Sequence, residues 1–263
     1  MAVISETLRN KNSTCALIPF ITAGFPDLSS TTKALFTLDA NGADIIELGI
    51  PYADALADGP IIQESSRVAL SQGVYIDQIL TMLSQVSSRL NAPVIIFTYY
   101  NPILVKGVSI FISQIANSGA SGLIVPDLPL EETDYLIELC NQFQIELILF
   151  IAPSSSTIRI QSIVSKSPGC LYLVSSYGVT GLRTNLNYEI NELAKEVKSK
   201  TDKLVILGFG ISDPEQAAKV SQWDIDGIVI GSAFIRSMFD KNESDVVNSL
   251  GSFCRAVKNA INT

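Results

Sequence analysis

The sequence contains no histidine. Histidine is the usual general base near neutral pH and the commonest metal ligand in proteins. Any proton transfer that this chain catalyses should therefore rest on carboxylates or tyrosines. The same absence argues against a catalytic zinc site, and we expect no metal in this protein.

Cysteines and basic residues are also scarce. Cys15, Cys140, Cys170 and Cys254 are far apart and form no C-x-x-C pair, so we interpret them as small core residues in a reducing compartment. Lysine and arginine number 18 against 26 acidic residues, which gives a net charge of −8. This charge argues against a nucleic-acid or anionic membrane surface, and we expect neither as a partner.

Long apolar runs are missing as well. None approaches the roughly 20 residues that a membrane-spanning helix needs. Residues 1–12 lack the apolar core of a signal peptide and are mixed in charge, and a strand pattern begins by about Ala16. With no signal or transit peptide visible, we expect a soluble protein of the cytoplasm or the plastid stroma.

The chain does contain a regular alternation of short apolar strands and longer helical stretches. The predicted strands cover residues 16–22, 44–49, 93–98, 122–125, 146–151, 170–174, 203–207 and 227–230. Most are continuously apolar, which is typical of parallel strands covered on both faces. Between them, apolar residues recur with helical spacing from Ile76 and again from Ile190. Gly42 and Gly119 lie where C-cap glycines belong, and residues 212–215 resemble a capping box.

Eight strands alternating with helices predict an α/β fold, a (β/α)8 TIM barrel. We expect residues 1–263 to form a single domain, with a short extra helix at the N-terminus. An open doubly wound sheet shows the same alternation and is the alternative. In the barrel, functional residues should lie in the loops that follow the strands.

The segment 45–63 is the most informative of these strand ends. It begins as a short strand that carries Glu47 and continues into a loop that carries Asp54 and Asp58 between glycines and prolines. Desolvation near the barrel axis should raise the pKa of Glu47 toward the working range. Two carboxylates in different environments can take different protonation roles, so Glu47 and Asp58 are the best acid–base candidates. A lone strand-end glutamate more often reaches solvent or caps a helix, and that alternative stays open.

Glycine-rich loops follow the last three predicted strands, at residues 175–181, 208–210 and 231–232. Glycines let the backbone approach a ligand closely, and Ser232 begins the next predicted helix, where free N–H groups favour an anion. Any one of these glycines, taken alone, is more often a turn residue. Together they favour a phosphorylated substrate, because this corner of the barrel is the common phosphate site.

The strand-end motifs, in their order and over nearly the whole chain, resemble those of the α subunit of tryptophan synthase. The most specific motifs are residues 47–52, 56–60, 99–102, 177–181, 208–212 and 231–232. This family cleaves indole-3-glycerol phosphate to indole and glyceraldehyde 3-phosphate by a retro-aldol reaction, and passes the indole to a β subunit for tryptophan biosynthesis. The resemblance implies a lyase with no cofactor of its own. Pyridoxal phosphate is expected only in the β partner of an α2β2 assembly.

The resemblance also implies roles for individual residues. Glu47 would protonate indole C3 and take the proton from the glycerol hydroxyl, and Asp58 would accept a hydrogen bond from the indole N–H. The residues that would surround the indole are Phe20, Tyr100, Tyr172 and Phe209. The residues that would hold the phosphate are Gly181, Gly210, Gly231 and Ser232. Thr180 would be the lid residue that contacts the Asp58 loop, and Asp54 would contact the β subunit together with residues 99–102.

Three positions depart from the family pattern. Ala53 and Ala55 stand where the acid loop usually has serine and proline, and Ser176 stands where the lid usually carries arginine. Loss of the proline should loosen the loop. We therefore expect weak activity of the chain alone, with loop ordering supplied by the partner.

Two other functions stay open. Another phosphate-binding barrel is one of them, but an indole-glycerol-phosphate synthase would need a strand-end lysine, and a phosphoribosyl isomerase would need aspartates after strands one and five. The strand ends of this sequence show neither pattern. The second is a barrel that has lost catalysis and only activates a partner, and the presence of Glu47 and Asp58 argues against it.

Overall fold

A computed structural model of the chain describes residues 3–11, 13–174, 188–208, 210–239 and 243–262. Four residues discussed above, Ser176, Thr180, Gly181 and Phe209, lie outside the described residues.

Eight parallel strands close into a barrel in the order β1 to β8, and β1 pairs with β8. The strands are β1 Ala16–Thr22, β2 Ile46–Gly49, β3 Val94–Phe97, β4 Ala120–Ile124, β5 Glu146–Ile151, β6 Leu171–Val174, β7 Val205–Gly208 and β8 Gly227–Ile230. The predicted TIM barrel is confirmed, and the open sheet is excluded. The start of β4 was predicted two residues too late, because the chain enters this strand directly after Gly119, which has a φ of 88°.

The helices are α1 Val3–Asn10, α2 Leu28–Ala40, α3 Pro60–Ser71, α4 Ile76–Val86, α5 Tyr100–Lys106, α6 Val108–Asn117, α7 Thr133–Gln142, α8 Thr157–Lys166, α9 Tyr188–Lys198, α10 Pro214–Val220, α11 Ser232–Met238 and α12 Glu243–Ile261. Short 3-10 turns cover Ser87–Arg89 and Leu130–Glu132. Within the described ranges, no helix combines the length and apolarity needed to cross a bilayer.

Helix ends follow local chemistry. Gly42 and Gly119 both have positive φ just after α2 and α6, as predicted for C-cap glycines. The cap of α10 lies one residue later than predicted. The side chain of Asp213, not Ser212, accepts from the backbone N–H of Gln216, and the Gln216 side chain in turn accepts from the Ser212 N–H at 3.0 Å. A carboxylate next to the first helical residue, Pro214, takes the capping position.

Strand alternation places Glu47 inside the barrel. The register pairs Glu47 with Phe20 on one side and with Ile95 on the other, and continues through Gly122 to Glu146. Side chains at these positions point toward the barrel axis, because residues of one parity share a face. The interior therefore holds two buried glutamates, Glu47 near the C-terminal ends of the strands and Glu146 near their N-terminal ends.

Helix α1 closes the N-terminal end of the barrel, which confirms the predicted extra helix. Ile4 and Leu8 are fully buried. The Ser5 N–H and hydroxyl donate to Glu146 at 3.0 and 2.5 Å, and the Cys170 N–H donates to the same carboxylate at 2.8 Å. A Cβ at Gly169 would lie 1.9 Å from Glu146 Oε1, so only glycine leaves room for this carboxylate. All four cysteines are free and buried, as predicted.

Candidate active site

A pocket opens among the C-terminal ends of the strands, where the barrel predicts it. Its cavity volume is about 100 Å³. The predicted site residues in its wall are Phe20, Glu47, Asp58, Tyr172, Gly210, Gly231 and Ser232. These residues come from β1, β2, β6 and the loops after β2, β7 and β8, so the barrel brings together residues far apart in sequence.

Glu47 is a buried acid with an unpartnered oxygen. Its side chain is 1% exposed, and among the described residues its Oε2 has no hydrogen-bond partner. Burial, and secondarily the charge of Asp58, raises the pKa of Glu47 to about 8, which confirms the expected direction. Glu47 is therefore protonated at neutral pH. An unsatisfied polar group in a pocket is unfavourable for stability and is typical of a functional site.

Asp58 is buried too, but it has a partner. The Tyr99 hydroxyl donates to Asp58 Oδ2 at 3.0 Å. Burial raises the pKa of Asp58 to about 6, and the hydrogen bond from Tyr99 opposes this rise. At neutral pH Asp58 is mainly ionised while Glu47 is protonated. The two carboxyl groups are thus prepared for different tasks.

The acid loop between β2 and α3 is held by side chains. The Tyr99 hydroxyl accepts from the Ala57 N–H at 3.0 Å. The Gln63 side-chain amide donates to the carbonyls of Ala55 and Asp58 at 3.1 and 3.0 Å. These bonds attach a loop that lacks a proline at position 55 to the end of β3 and the first turn of α3. That the loop is looser than in the family that the sequence resembles stays a prediction.

Aromatic rings form the apolar wall of the pocket. Phe20 and Phe97 meet edge to face at 5.6 Å between ring centroids, and Phe150 and Tyr172 lie 4.8 Å apart. Burial raises the pKa of Tyr172 well above its usual value, so its hydroxyl stays protonated. The sequence prediction missed Phe97 and Phe150. Their inward parity at the ends of β3 and β5 was the available signal, but continuously apolar strands do not show which face is inside.

Tyr100, predicted to surround an indole ring, is not in this wall. It is half-buried at the start of α5, and its backbone N–H donates to Asp127 Oδ1 at 2.8 Å. Tyr100 therefore stays a predicted contact of the indole and lies outside the wall that the described residues form. Tyr99 instead makes the contact with Asp58.

Gly208 is needed for space in the pocket, and Gly231 leaves only a tight fit for a larger residue. A Cβ at Gly208 would lie 2.3 Å from the Tyr172 hydroxyl, and a Cβ at Gly231 would lie 3.3 Å from Ile62 Cδ1. Ser232 begins α11, as predicted. The glycines therefore keep the corner between β7 and β8 open beside the aromatic wall.

Asp54, the predicted partner contact, is exposed in the acid loop beside Leu56, whose side chain is 82% exposed.

Among the residues that the structure describes, no three acidic or cysteine side chains are grouped as metal ligands would be.

The comparison with known proteins identifies similar chains over the full length. The family model described as tryptophan synthase alpha chain matches residues 6–262. The tryptophan synthase alpha chain of Gracilaria tenuistipitata var. liui is 60% identical over 263 residues, covering 100% of this chain and 98% of that one. That of Antithamnion sp. is 56% identical over 260 residues, with 99% of both chains covered. Among solved structures, a Mycobacterium tuberculosis tryptophan synthase chain matches with a TM-score of 0.89 at 31% identity, covering 99% of this chain and 97% of that one.

Proposed function

The chain belongs to the tryptophan synthase alpha chain family, and on that premise we propose that Glu47 and Asp58 carry out the acid–base chemistry of its reaction. The chain is a lyase that cleaves indole-3-glycerol phosphate to indole and glyceraldehyde 3-phosphate and passes the indole to a β subunit. One observation carries the proposal. The pocket holds a protonated Glu47, whose Oε2 has no hydrogen-bond partner in the part of the chain that the structure describes, beside a mainly ionised Asp58.

In the proposed mechanism, Glu47 donates its proton to C3 of the indole ring. The positive charge that develops on the ring is shared with the ring N–H, which donates a hydrogen bond to the Asp58 carboxylate. The Glu47 carboxylate then takes the proton of the adjacent glycerol hydroxyl. The oxygen electrons form the aldehyde C=O, the carbon–carbon bond to C3 breaks, and its electrons restore the aromatic ring.

Glu47 gives up one proton and takes up one proton, so it is protonated again at the end of the cycle. The reaction therefore needs no further acid, and we propose that neither a metal nor a cofactor of this chain takes part. Pyridoxal phosphate would belong to the β subunit alone.

The remaining pocket residues would hold the two ends of the substrate. We propose that Phe20 and Tyr172, together with Phe97 and Phe150, enclose the flat indole, because aromatic rings in a wall suit a planar apolar ligand. The phosphate would lie in the corner lined by Gly210, Gly231 and Ser232. Thr180, Gly181 and Phe209 stay predicted members of the site.

We propose that the β subunit docks on the exposed apolar side chains beside the pocket and that the assembly is α2β2. Val105 on α5 is 81% exposed and Ile110 on α6 is 57% exposed. The acid loop with Asp54 and Leu56 joins this surface, since Asn101 at the start of α5 donates to the Tyr52 hydroxyl of that loop at 3.2 Å. Exposed apolar groups of this kind are typical of interaction sites.

We further propose that residues 1–263 form one domain, because the barrel closes only when β1, near one end of the sequence, pairs with β8, near the other. For its compartment we propose the cytoplasm or the plastid stroma, since relatives include red algal and cyanobacterial proteins.

The experiment that tests the catalytic proposal is indole release from indole-3-glycerol phosphate by the purified chain and by Glu47→Gln, each with and without a β subunit. We expect weak release by the chain alone, an increase with the partner, and none above background in the variant. The pH profile of kcat/KM should fall on the acid side as Asp58 becomes protonated near 6 and on the basic side as Glu47 ionises near 8. Release that survives Glu47→Gln would contradict the assignment, and no release under any condition would favour a barrel that only activates its partner.

The docking surface has a matched pair of variants. Val105→Lys adds a charge to the proposed interface. Val3→Lys adds the same charge to α1, at the opposite end of the barrel, where the Val3 side chain is 42% exposed. Only Val105→Lys should weaken β-subunit binding, by about tenfold or more. Equal binding by the two variants would place the interface elsewhere.

A further inference from the structure

We propose that Tyr99 is a positioning residue of the reaction, whose hydroxyl fixes both the Asp58 carboxylate and the backbone of the acid loop. The proposal rests on the function proposed above and gives Tyr99, the first residue of the 99–102 motif, a role in the reaction. Tyr99 comes from the loop after β3 and Asp58 from the loop after β2, so the contact joins two neighbouring strand ends.

The hydroxyl of Tyr99 has two partners on consecutive residues. It donates to Asp58 Oδ2 and accepts from the Ala57 N–H, each at 3.0 Å. One hydroxyl can donate once and accept from more than one group, so both bonds form together. The side chain of Asp58 and the backbone just before it are therefore held by a single atom.

The ring of Tyr99 is itself held firmly. It is 3% exposed. It lies 5.2 Å from the ring of Tyr52 in the acid loop and 6.1 Å, edge to face, from the ring of Phe97 in the pocket wall. A hydroxyl on so confined a ring has little freedom, so it can set the position of a loop that lacks a proline at position 55.

The charged and titratable groups around Asp58 show what the hydroxyl must do. Glu47 on β2 and Tyr172 on β6 also face the pocket, and the charge of Asp58 acts on the pKa of both. The charge of Asp127, in the loop after β4, raises the pKa of Tyr99. None of these groups is a cation. Tyr99 is the hydrogen-bond donor that opposes the effect of burial and lowers the pKa of Asp58.

Removing the hydroxyl should therefore have two effects. Asp58 would lose the donor that favours its ionised form, and the Ala57 N–H would lose its acceptor. The acid limb of the pH profile should move to higher pH, because Asp58 would be protonated more easily. The carboxylate should also be less well placed for the ring N–H that it is proposed to bind.

The test compares Tyr99→Phe with Tyr52→Phe. The ring of Tyr52, in the acid loop, lies against the ring of Tyr99 at a tilt of 32°, but among the described residues its hydroxyl accepts a hydrogen bond only from Asn101. Tyr99→Phe should lower kcat about tenfold or more and move the acid limb of kcat/KM up by roughly one pH unit. Assayed without the β subunit, Tyr52→Phe should leave both unchanged. In an Asp58→Asn background, Tyr99→Phe should have little further effect on turnover.

A second readout keeps this inference separate from the proposed function. NMR titration of the Asp58 carboxyl in Tyr99→Phe should show its midpoint moving upward without any turnover being measured. An unmoved acid limb and an unmoved Asp58 midpoint would overturn the role of Tyr99, even if wild-type cleavage and its loss in Glu47→Gln are observed. A fall in melting temperature alone would show a merely structural role and would overturn it as well.

Discussion

The barrel contains two buried glutamates, and they differ in what surrounds them. Glu146, at the N-terminal end, accepts hydrogen bonds from the Ser5 N–H, the Ser5 hydroxyl and the Cys170 N–H. Glu47, at the other end, is equally buried, but its Oε2 has no hydrogen-bond partner within the described ranges. Both belong to one row of the strand register, so burial and inward orientation do not distinguish them. The two glutamates differ in their hydrogen bonds. Glu146 is bonded to its surroundings and stabilises the fold, whereas Glu47 is available to react.

The largest expected difference between the two glutamates is in catalysis. Glu47→Gln should lower kcat by about 10³-fold, within the range for loss of a general acid–base. Glu146→Gln should keep kcat within a few fold of the wild type, measured per folded molecule at a temperature where the variant is folded. Comparable losses of kcat in both variants would mean that the number of hydrogen bonds a buried glutamate makes does not identify the catalytic one.

The next largest expected difference is in stability, where the Glu146 variant and not the Glu47 variant should show the loss. Glu146→Ala removes an acceptor of three hydrogen bonds from a buried site, so unfolding in denaturant should show a loss of about 3 kcal/mol. Glu47→Gln serves as the control and should not lose stability at pH 7. If Glu146→Ala unfolds at the same denaturant concentration as the wild type, α1 is not held through this carboxylate.

The pH dependence of stability should sharpen the contrast. The pKa of Glu47 is raised from 4.5 to about 8 in the folded state. Below 4.5 both states are protonated and Glu47 has no effect, whereas between 4.5 and 8 the unfolded state releases the proton and the folded state retains it. Stability should therefore fall as pH rises through this window.

Glu47→Gln removes that dependence. From pH 5 to pH 7 the variant should gain roughly 2 kcal/mol of unfolding free energy relative to the wild type. Asp58 is present in both proteins, so its own titration largely cancels in the difference. Urea unfolding at several pH values measures the gain, and a difference that does not change with pH would show that Glu47 titrates normally.

The smallest expected effect is that of Ser5→Ala. This change removes the hydroxyl bond to Glu146 but keeps the backbone N–H bond. The loss should be about 1 kcal/mol, seen as a small shift of the melting temperature with unchanged kcat. A loss as large as that of Glu146→Ala would mean that the hydroxyl alone carries the contact.

The same contrast shows what could be predicted from the sequence. An acid in an apolar strand followed by a glycine- and proline-framed loop was enough to select Glu47 and Asp58. Glu146 also opens an apolar strand, yet the sequence could not show that its partners are Ser5, 141 residues away, and the Cys170 N–H. Whether a buried carboxylate finds hydrogen-bond partners depends on contacts between distant segments. The periodicity of apolar residues in the sequence carries no information on such contacts.

The aromatic residues show a second limit. The barrel could be predicted because eight apolar strands alternate with helices, and parity then decides which side chains line the pocket. That parity is invisible in a strand that is apolar on both faces. The sequence therefore did not indicate that Phe97 and Phe150 line the pocket, and Tyr100 stays a predicted contact of the indole outside that lining.

The most direct test of the central claim is the protonation state of Glu47 itself. Infrared difference spectra between the wild type and Glu47→Gln would isolate the C=O band of this one neutral carboxyl. We expect the band to be present at pH 6.5 and to disappear with a midpoint near 8. A band already absent at pH 6.5, with a midpoint near the ordinary 4.5, would contradict the claim that an unpartnered, buried Glu47 is held as the acid of this site.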